Sequence, residues 1–149
     1  MAILPNPRLR PISEDDDPDD YRPRSTWSGP LVDQVAPGGY VRDLTVILER
    51  IAPGDAIPLH THSIDEVIVV ESGEVELRVG KETRRVAGRS VAFVPAGTPH
   101  GARNVGREDA SYTAFFGSTA IDIAYLERNP APGTEADPPS AAAVYDARA

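Results

Sequence analysis

Two histidines separated by a single residue are the side chains of this chain best suited to metal chemistry. The chain has only three histidines, and His60 and His62 are two of them. Alternate side chains of a β-strand point to the same face, so both imidazoles would project to one side, as two ligands of one ion must. Glu66 follows four residues after His62. A straight strand would carry it about 13 Å beyond His62, so Glu66 can bind the same ion only if the chain bends at residues 63–65.

The spacing of these residues resembles the two sequence motifs of the cupin superfamily. The first motif, G-x5-H-x-H-x3-E-x6-G, is matched by Gly54, His60, His62, Glu66 and Gly73. The second motif, G-x5-P-x-G-x2-H-x3-N, is nearly matched by Pro95, Gly97, His100 and Asn104. One departure is visible: six residues rather than five separate Gly88 from Pro95, and Arg89 occupies the expected glycine position. The turn before this strand is therefore the part of the motif that differs from the family pattern.

The resemblance covers residues 40–117 and implies an all-β fold, the double-stranded β-helix or jelly-roll barrel of cupins. It also implies that one divalent transition metal ion is held by four side chains, namely His60, His62, Glu66 and His100. Three imidazoles and one carboxylate suit Fe, Mn, Ni, Cu or Zn. On an octahedral ion, two positions would remain open for water, oxygen or a substrate.

The remaining sequence predicts the strands that must position these ligands. Segments rich in β-branched residues alternate with turn signals, and no long amphipathic helix separates them, which favours a sandwich or barrel over an α/β fold. Besides the histidine strand, strands are predicted at residues 27–35, 40–51, 66–71, 74–79, 82–86, 90–94 and 110–117. Residues 121–126 fit either a short strand or a helix.

The two ends of the chain differ in composition from the central part. Residues 1–26 contain five prolines and the acidic run EDDDPDD, so we expect an arm whose acidic part is solvated. The alternative is that the arm wraps a partner subunit, and we predict a homodimer contacted through residues 1–12 or 27–35. Residues 27–128 should form the barrel. Residues 129–149, rich in proline and alanine, should form a tail with one or two helical turns at 141–148.

Composition excludes several classes of function. A net charge of −8 argues against a nucleic-acid partner. The absence of cysteine excludes disulfides, thiolate metal sites and cysteine nucleophiles. The apolar run after Met1 stops at Pro5, so no signal peptide is predicted, and no apolar segment is long enough to span a membrane. We therefore expect a cytoplasmic protein, and the cupin resemblance implies that it acts on a small organic molecule.

Aromatic and basic residues on the predicted strands are candidates for the walls of a substrate pocket. Core packing is the more frequent role for a buried aromatic side chain, and a surface position is the more frequent one for an arginine. The candidates are Tyr40, Arg42, Phe93, Tyr112 and Phe116. Tyr112 is also the one candidate for a catalytic group, because a barrel strand could direct its hydroxyl into the pocket.

Three functions are compatible with this sequence. The first, and the preferred one, is oxidation of a small molecule with O₂, as in dioxygenase-like cupins. The second is a non-redox cyclase, isomerase or lyase in which the metal polarises a carbonyl. The third is a non-catalytic cupin that binds a metal or ligand. Because protons compete with metal for all four ligands, stability should fall below about pH 6.5 in the metal-bound form and depend little on pH in the metal-free form.

Overall fold

A computed structural model describes residues 3, 5–12, 17–28, 43–139 and 143–146, the last four by their backbone. All regular elements in these ranges are strands: β1 Arg10–Ile12, β2 Arg22–Trp27, β3 Thr45–Ile51, β4 Ala56–Thr61, β5 Glu66–Ser72, β6 Glu74–Val79, β7 Glu82–Ala87, β8 Ser90–Val94, β9 His100–Asn104, β10 Ala110–Phe116, β11 Ala120–Tyr125 and β12 Ala143–Asp146. The predicted strand at 27–35 falls largely outside the described residues, and so does the start of the one at 40–51.

The strands form two antiparallel sheets that pack face to face. Hydrogen-bonded neighbours follow the order β1-β2-β3-β10-β5-β8 in one six-stranded sheet and β12-β11-β4-β9-β6-β7 in the other. Their inner faces supply the core, in which Ile51, Val70 and Val75 are completely buried. This arrangement confirms the predicted all-β jelly-roll barrel. In the described part of the chain, no helix is long and apolar enough to cross a membrane.

Strand β3 brings a charged side chain to the inner face of the first sheet. Thr45, Ile47 and Ile51 are buried and alternate with more exposed neighbours, so they mark the inward face. Glu49 lies at an alternate position on this same face of the strand, and its side chain is only 12% exposed. In the register of the sheet, Glu49 lies between Trp27 of β2 and Tyr112 of β10. A carboxyl group therefore occupies a largely buried strand face that lines the barrel interior.

The N-terminal arm forms part of the barrel. Its strands β1 and β2 extend the first sheet, and Ile12 is 3% exposed within its own chain. Asp17, Asp19 and Asp20 are buried, so the prediction that the acidic run is solvated is wrong for these three residues. Ile12 is therefore covered within its own chain and does not need a second subunit to bury it. The homodimer stays a prediction.

The buried aspartates of the arm tolerate burial because each has a polar partner. The Tyr125 hydroxyl donates to Asp17, and the Arg128 guanidinium donates to Asp19. The third carboxylate, that of Asp20, pairs with the neighbouring Arg22. Such pairing offsets the cost of removing a charge from water, which the sequence of an acidic run cannot reveal.

The segment after the barrel continues to pair with it. Asn129 exchanges backbone hydrogen bonds with Asp19 and Tyr21, and Ala131 is buried. The open choice at residues 121–126 is resolved in favour of a strand, β11. The helical turns expected at 141–148 are wrong for residues 143–146, which form β12 against β11. Pairing with β12 satisfies backbone groups of β11 that would otherwise lie open at the sheet edge.

The turn that departs from the cupin motif contains a residue in the left-handed region. Arg89 has φ = 69°, and its N–H donates to the carbonyl oxygen of Val70 at 2.7 Å. Gly88 before it lies so close to β5 that a Cβ there would approach the Glu71 carbonyl oxygen to 2.7 Å. The chain therefore keeps the turn and places an arginine in a conformation that favours glycine.

Candidate metal centre

The four predicted ligands reach one point because the chain crosses from one sheet to the other between them. His60 lies near the end of β4, and His62 follows that strand directly. Residues 63–65 then form the predicted bend, and β5 begins at Glu66 in the opposite sheet. The Asp122 carboxylate fixes the bend by accepting hydrogen bonds from the backbone N–H and the hydroxyl of Ser63. The fourth ligand, His100, begins β9 and pairs directly with His60 across the second sheet.

The donor atoms of these side chains converge at distances that suit a single ion. One donor atom from each of His60, His62, Glu66 and His100 lies within 4.8 Å of every other. The His60 and His62 Nε2 atoms are 3.2 Å apart, and His62 Nε2 lies 3.5 Å from Glu66 Oε2. His100 Nε2 lies 2.7 Å from the same carboxylate oxygen. Ligands at about 2.0–2.2 Å from a metal are separated by distances of this order.

Each imidazole is oriented by a backbone carbonyl at its other nitrogen. The Nδ1 atom of His60 lies 2.7 Å from the Pro58 carbonyl oxygen, and that of His100 lies 2.8 Å from the Thr98 carbonyl oxygen. His62 makes the same contact with the carbonyl oxygen of Asp122. Since a carbonyl only accepts, Nδ1–H donates in all three rings, and each neutral ring directs the lone pair of Nε2 to the shared centre.

Burial keeps the first two histidines in the neutral form that a metal requires. Burial, and then the neighbouring charges of His100 and His62, hold the pKa of His60 well below its usual range. Burial also lowers the pKa of His62, although the Glu66 carboxylate opposes this effect. Both rings are therefore available as ligands at neutral pH.

The donor set fits a metal cation, because two of its atoms are buried without a hydrogen-bond partner. Glu66 Oε2 and His100 Nε2 are buried side-chain atoms without a hydrogen-bond partner, yet they face each other. Three imidazole lone pairs and a carboxylate meeting without a hydrogen repel one another unless a cation lies between them. Nitrogen and oxygen ligands of this kind suit Fe, Mn, Ni, Cu or Zn.

A cavity of about 80 Å³ adjoins this donor set. Its walls include the metal donors His60, His62 and Glu66. They also include two of the five predicted pocket residues, Tyr112 and Phe116. Phe93 does not line the cavity, because it lies on the edge strand β8 with its side chain 73% exposed. The remaining pocket candidates, Tyr40 and Arg42, lie outside the described residues.

The same cavity contains an ionic cluster that sequence reasoning missed. The Arg22 guanidinium donates to both carboxylate oxygens of Asp20, at 2.8 and 2.7 Å, and to Glu49 Oε2 at 3.1 Å. All three residues line the cavity. Burial raises the pKa of Asp20 and that of Glu49, although the charge of Arg22 opposes both shifts. The pKa of Arg22 itself is raised, because the two carboxylates outweigh the opposing effect of burial.

Comparison with known proteins identifies the family of this domain. Residues 47–116 match the family described as "Cupin domain", and this stretch contains all four convergent donors. The chain belongs to the cupin superfamily. Asp20 and Arg22 lie N-terminal to the matched region, whereas Glu49 lies within it.

Two curated relatives and one solved structure are similar to this cupin in sequence or structure. Auxin-binding protein 1 of Arabidopsis thaliana is 25% identical over 118 residues, which are 70% of this chain and 60% of that protein. The H2HPP isomerase of Bacillus subtilis is 35% identical over 63 residues, 42% of this chain and 27% of the isomerase. The protein TT1209 from Thermus thermophilus is 34% identical, with a TM-score of 0.50, over 53% of this chain and 76% of TT1209. This cupin thus spans less than two thirds of the length of these two curated relatives.

Tyr112 lines the same cavity as Glu66, a member of the donor set of this cupin. Its side chain is buried, and burial, followed by the charges of Glu66 and Glu49, raises its pKa well above the usual range. Both residues line the same cavity, and the effect of Glu66 on this pKa indicates that the two side chains interact electrostatically. A phenol that stays protonated is a hydrogen-bond donor, which suits Tyr112 to supporting a carboxylate ligand of a metal.

Proposed function

We propose that this cupin is a metal-dependent enzyme that moves a proton within a small organic molecule, as in an isomerisation. The observation that carries the proposal is the composition of one cavity. Three of the four convergent metal donors, His60, His62 and Glu66, form part of its wall, and the buried carboxyl groups of Asp20 and Glu49 form another part. Titratable groups whose pKa values are shifted by burial, lying in a cleft beside a metal site, are typical of proton-transfer catalysts.

The chain's own residues would bind the substrate and exclude water from it. A bound ion would polarise a carbonyl or hydroxyl oxygen of the substrate. Ile47, Ile57 and Phe116 supply apolar walls, which exclude water and strengthen electrostatic interactions within the cavity. The cavity volume of about 80 Å³ favours a substrate with few non-hydrogen atoms.

Proton transfer is preferred over oxidation because O₂ chemistry gives no role to the ionic cluster. The relative from Bacillus subtilis is named as an isomerase, which is consistent with non-redox chemistry at a cupin site. Oxidation with O₂ remains the second candidate, because three imidazoles and a carboxylate leave open positions on an octahedral iron. A purely binding role is the third, and the relative named auxin-binding protein 1 is consistent with it.

The test separates the three candidates by what each metal form does to a simple carbonyl compound. Protein stripped of metal is reloaded with Zn²⁺, Mn²⁺ or Fe²⁺ and incubated in D₂O with hydroxyacetone or pyruvate, with and without O₂. Proton NMR should show exchange of the hydrogens next to the carbonyl, independent of O₂. Consumption of O₂ with formation of an oxidised product would contradict proton transfer in favour of oxidation. Binding of the probes without exchange or oxidation would contradict both enzymatic functions.

A further inference from the structure

We propose that Glu49 is the residue that carries the proton in this reaction, and that Arg22 and Asp20 of the N-terminal arm position it. This inference rests on the proposed function of the metal site. It assigns the catalytic group to β3 and gives the arm a role in the chemistry. None of these three residues was a candidate on the basis of the sequence.

The position of Glu49 leaves one of its oxygens available to a substrate. Its Oε2 accepts the hydrogen bond from Arg22 Nη1 at 3.1 Å. Its Oε1 accepts no hydrogen bond from any residue that the structure describes, and the side chain lines the same cavity as His60 and His62. A carboxylate held at one oxygen and open at the other is a suitable arrangement for accepting and returning a proton.

The arm holds Glu49 through a fixed guanidinium plane. Arg22 binds both oxygens of Asp20 through Nε and Nη2, a bidentate contact that sets the orientation of the guanidinium group. Its Nη1 is thereby directed at Glu49. The side chain of Arg22 is 3% exposed and that of Asp20 is 7% exposed, so solvent does not compete strongly for these bonds.

The other carboxyl groups that line the cavity are already engaged. Both oxygens of Asp20 accept bonds from Arg22, and Asp17 accepts the hydroxyl proton of Tyr125. The histidines and Glu66 are the convergent metal donors. Of the described residues that line the cavity, Glu49 therefore offers the open carboxylate oxygen.

The proposed step is a balanced proton transfer without a redox change. Glu49 Oε1 takes a proton from a carbon next to the substrate carbonyl, and the electron pair of that C–H bond forms the C=C bond of an enolate. The carboxylic acid then returns the proton to a different carbon or to the oxygen. Substrate and product are isomers, so the step consumes no oxidant, reductant or water.

Titratable groups on the neighbouring elements interact with Glu49. They are Arg22 and Asp20 of the arm, Tyr112 of β10 and Glu66 of β5. Burial raises the pKa of Glu49, and the charge of Arg22 limits that rise. A carboxyl group whose pKa is moved toward neutrality both accepts and returns a proton more readily than an ordinary surface glutamate.

The first experiment compares Glu49→Gln with Glu108→Gln in the full, metal-loaded chain. Gln keeps the size of Glu49 and an oxygen for Arg22, and Glu108 is an exposed glutamate far from the ionic cluster in sequence. The probe is exchange of the α-hydrogens of hydroxyacetone in D₂O, with metal content and melting temperature measured in parallel. Glu49→Gln should lower the exchange rate by about 100-fold or more while retaining stoichiometric metal. Glu108→Gln should behave as the parent chain does.

The second experiment tests the positioning role and does not depend on turnover. Carbon-13 NMR of labelled glutamate follows the titration of the Glu49 carboxyl in the parent chain and in Arg22→Gln and Arg22→Lys. Its midpoint should lie above the ordinary glutamate value of about 4.3, should rise further in Arg22→Gln, and should change less in Arg22→Lys. An unchanged midpoint in Arg22→Gln would overturn the positioning role of Arg22.

The outcomes distinguish the inference from the proposed function. Equal exchange by Glu49→Gln and the parent chain would overturn the role of Glu49 and leave the proposed function intact. Absence of exchange in every metal form of the parent chain would contradict the proposed function. In that case a Glu49 midpoint at the ordinary glutamate value of about 4.3 would independently overturn the inference, since such a group would hold no proton near neutral pH.

Discussion

His100 Nε2 and Glu66 Oε2 lie 2.7 Å apart, and neither atom has a hydrogen-bond partner. The Nδ1–H of His100 is committed to the Thr98 carbonyl oxygen, so the neutral ring has no hydrogen to place between the two atoms. Either a proton or a metal ion must lie there to relieve the repulsion between their lone pairs. Protons and metal therefore compete for one place, and this competition determines how the site responds to mutation and pH.

Removing one imidazole should abolish stoichiometric metal binding. His62→Ala deletes a donor and leaves the carbonyl oxygen of Asp122 without its partner. Mutation of a group that only orients a ligand costs about 10–100-fold in metal affinity, so deletion of a predicted ligand should lower the affinity by at least about 100-fold. Elemental analysis after dialysis measures occupancy, and the exposed Asp109→Asn serves as the control. Retention of one metal per chain in His62→Ala would remove this residue from the ligand set.

Acid should destabilise the metal-free protein as well as the metal-bound one. Because burial lowers the pKa values of His60 and His62, the unfolded chain binds protons more readily than the folded chain. This contribution to the free energy of unfolding is fully present above about pH 6.5, the pKa of histidine in the unfolded chain. It is lost as pH falls below that value, by up to about 1.4 kcal/mol per pH unit for each histidine. These lowered pKa values favour a pH-dependent metal-free form over the expectation of little pH dependence.

Urea unfolding of the metal-free form at pH 7.5 and pH 5.5 measures how much of the free energy of unfolding is lost in acid. His60→Asn is the matched control. The control should show a shallower decline, since one of the two depressed groups is gone. Asp20 and Glu49 contribute with the opposite sign, because their raised pKa values favour the folded state when they are protonated. A steeper decline in His60→Asn than in the parent chain would contradict the assignment.

The metal donors were predictable from sequence because their residue types are rare and their spacing restricts geometry. The distance argument for Glu66 required a bend, and residues 63–65 form it. Arg22 was not predictable, because its partner Glu49 is 27 positions away and an acidic run with buried partners has the same composition as a solvated one. Glu49 carried one signal: it shares the strand face of Ile47 and Ile51, where an unpaired charge would be costly.

Removing Asp20 should destabilise the fold strongly, although it lies in an acidic arm. Asp20→Ala leaves the buried Arg22 with Glu49 as its one remaining ionic partner among the described residues. Loss of one member of a buried ion pair costs about 3–5 kcal/mol, because a buried charge is left uncompensated. The free energy of unfolding in urea measures the effect, with the exposed Asp43→Ala as control. Similar stability of the two variants would show that the arm adds little to the barrel.

Replacing Arg89 by glycine should stabilise the protein, which is unusual for an arginine substitution on a surface. Arg89 is exposed and adopts φ = 69°, a conformation that costs a non-glycine residue about 1–2 kcal/mol. Glycine removes this strain but loses about 0.5–1 kcal/mol through the greater freedom of the unfolded chain. The free energy of unfolding should therefore rise by about 0.5–1 kcal/mol. Arg107→Gly is the matched control, because Arg107 is also exposed but is not among the residues with positive φ, so glycine there should lower stability by about 0.5–1 kcal/mol. If both variants lose stability equally, the left-handed conformation of Arg89 imposes no strain.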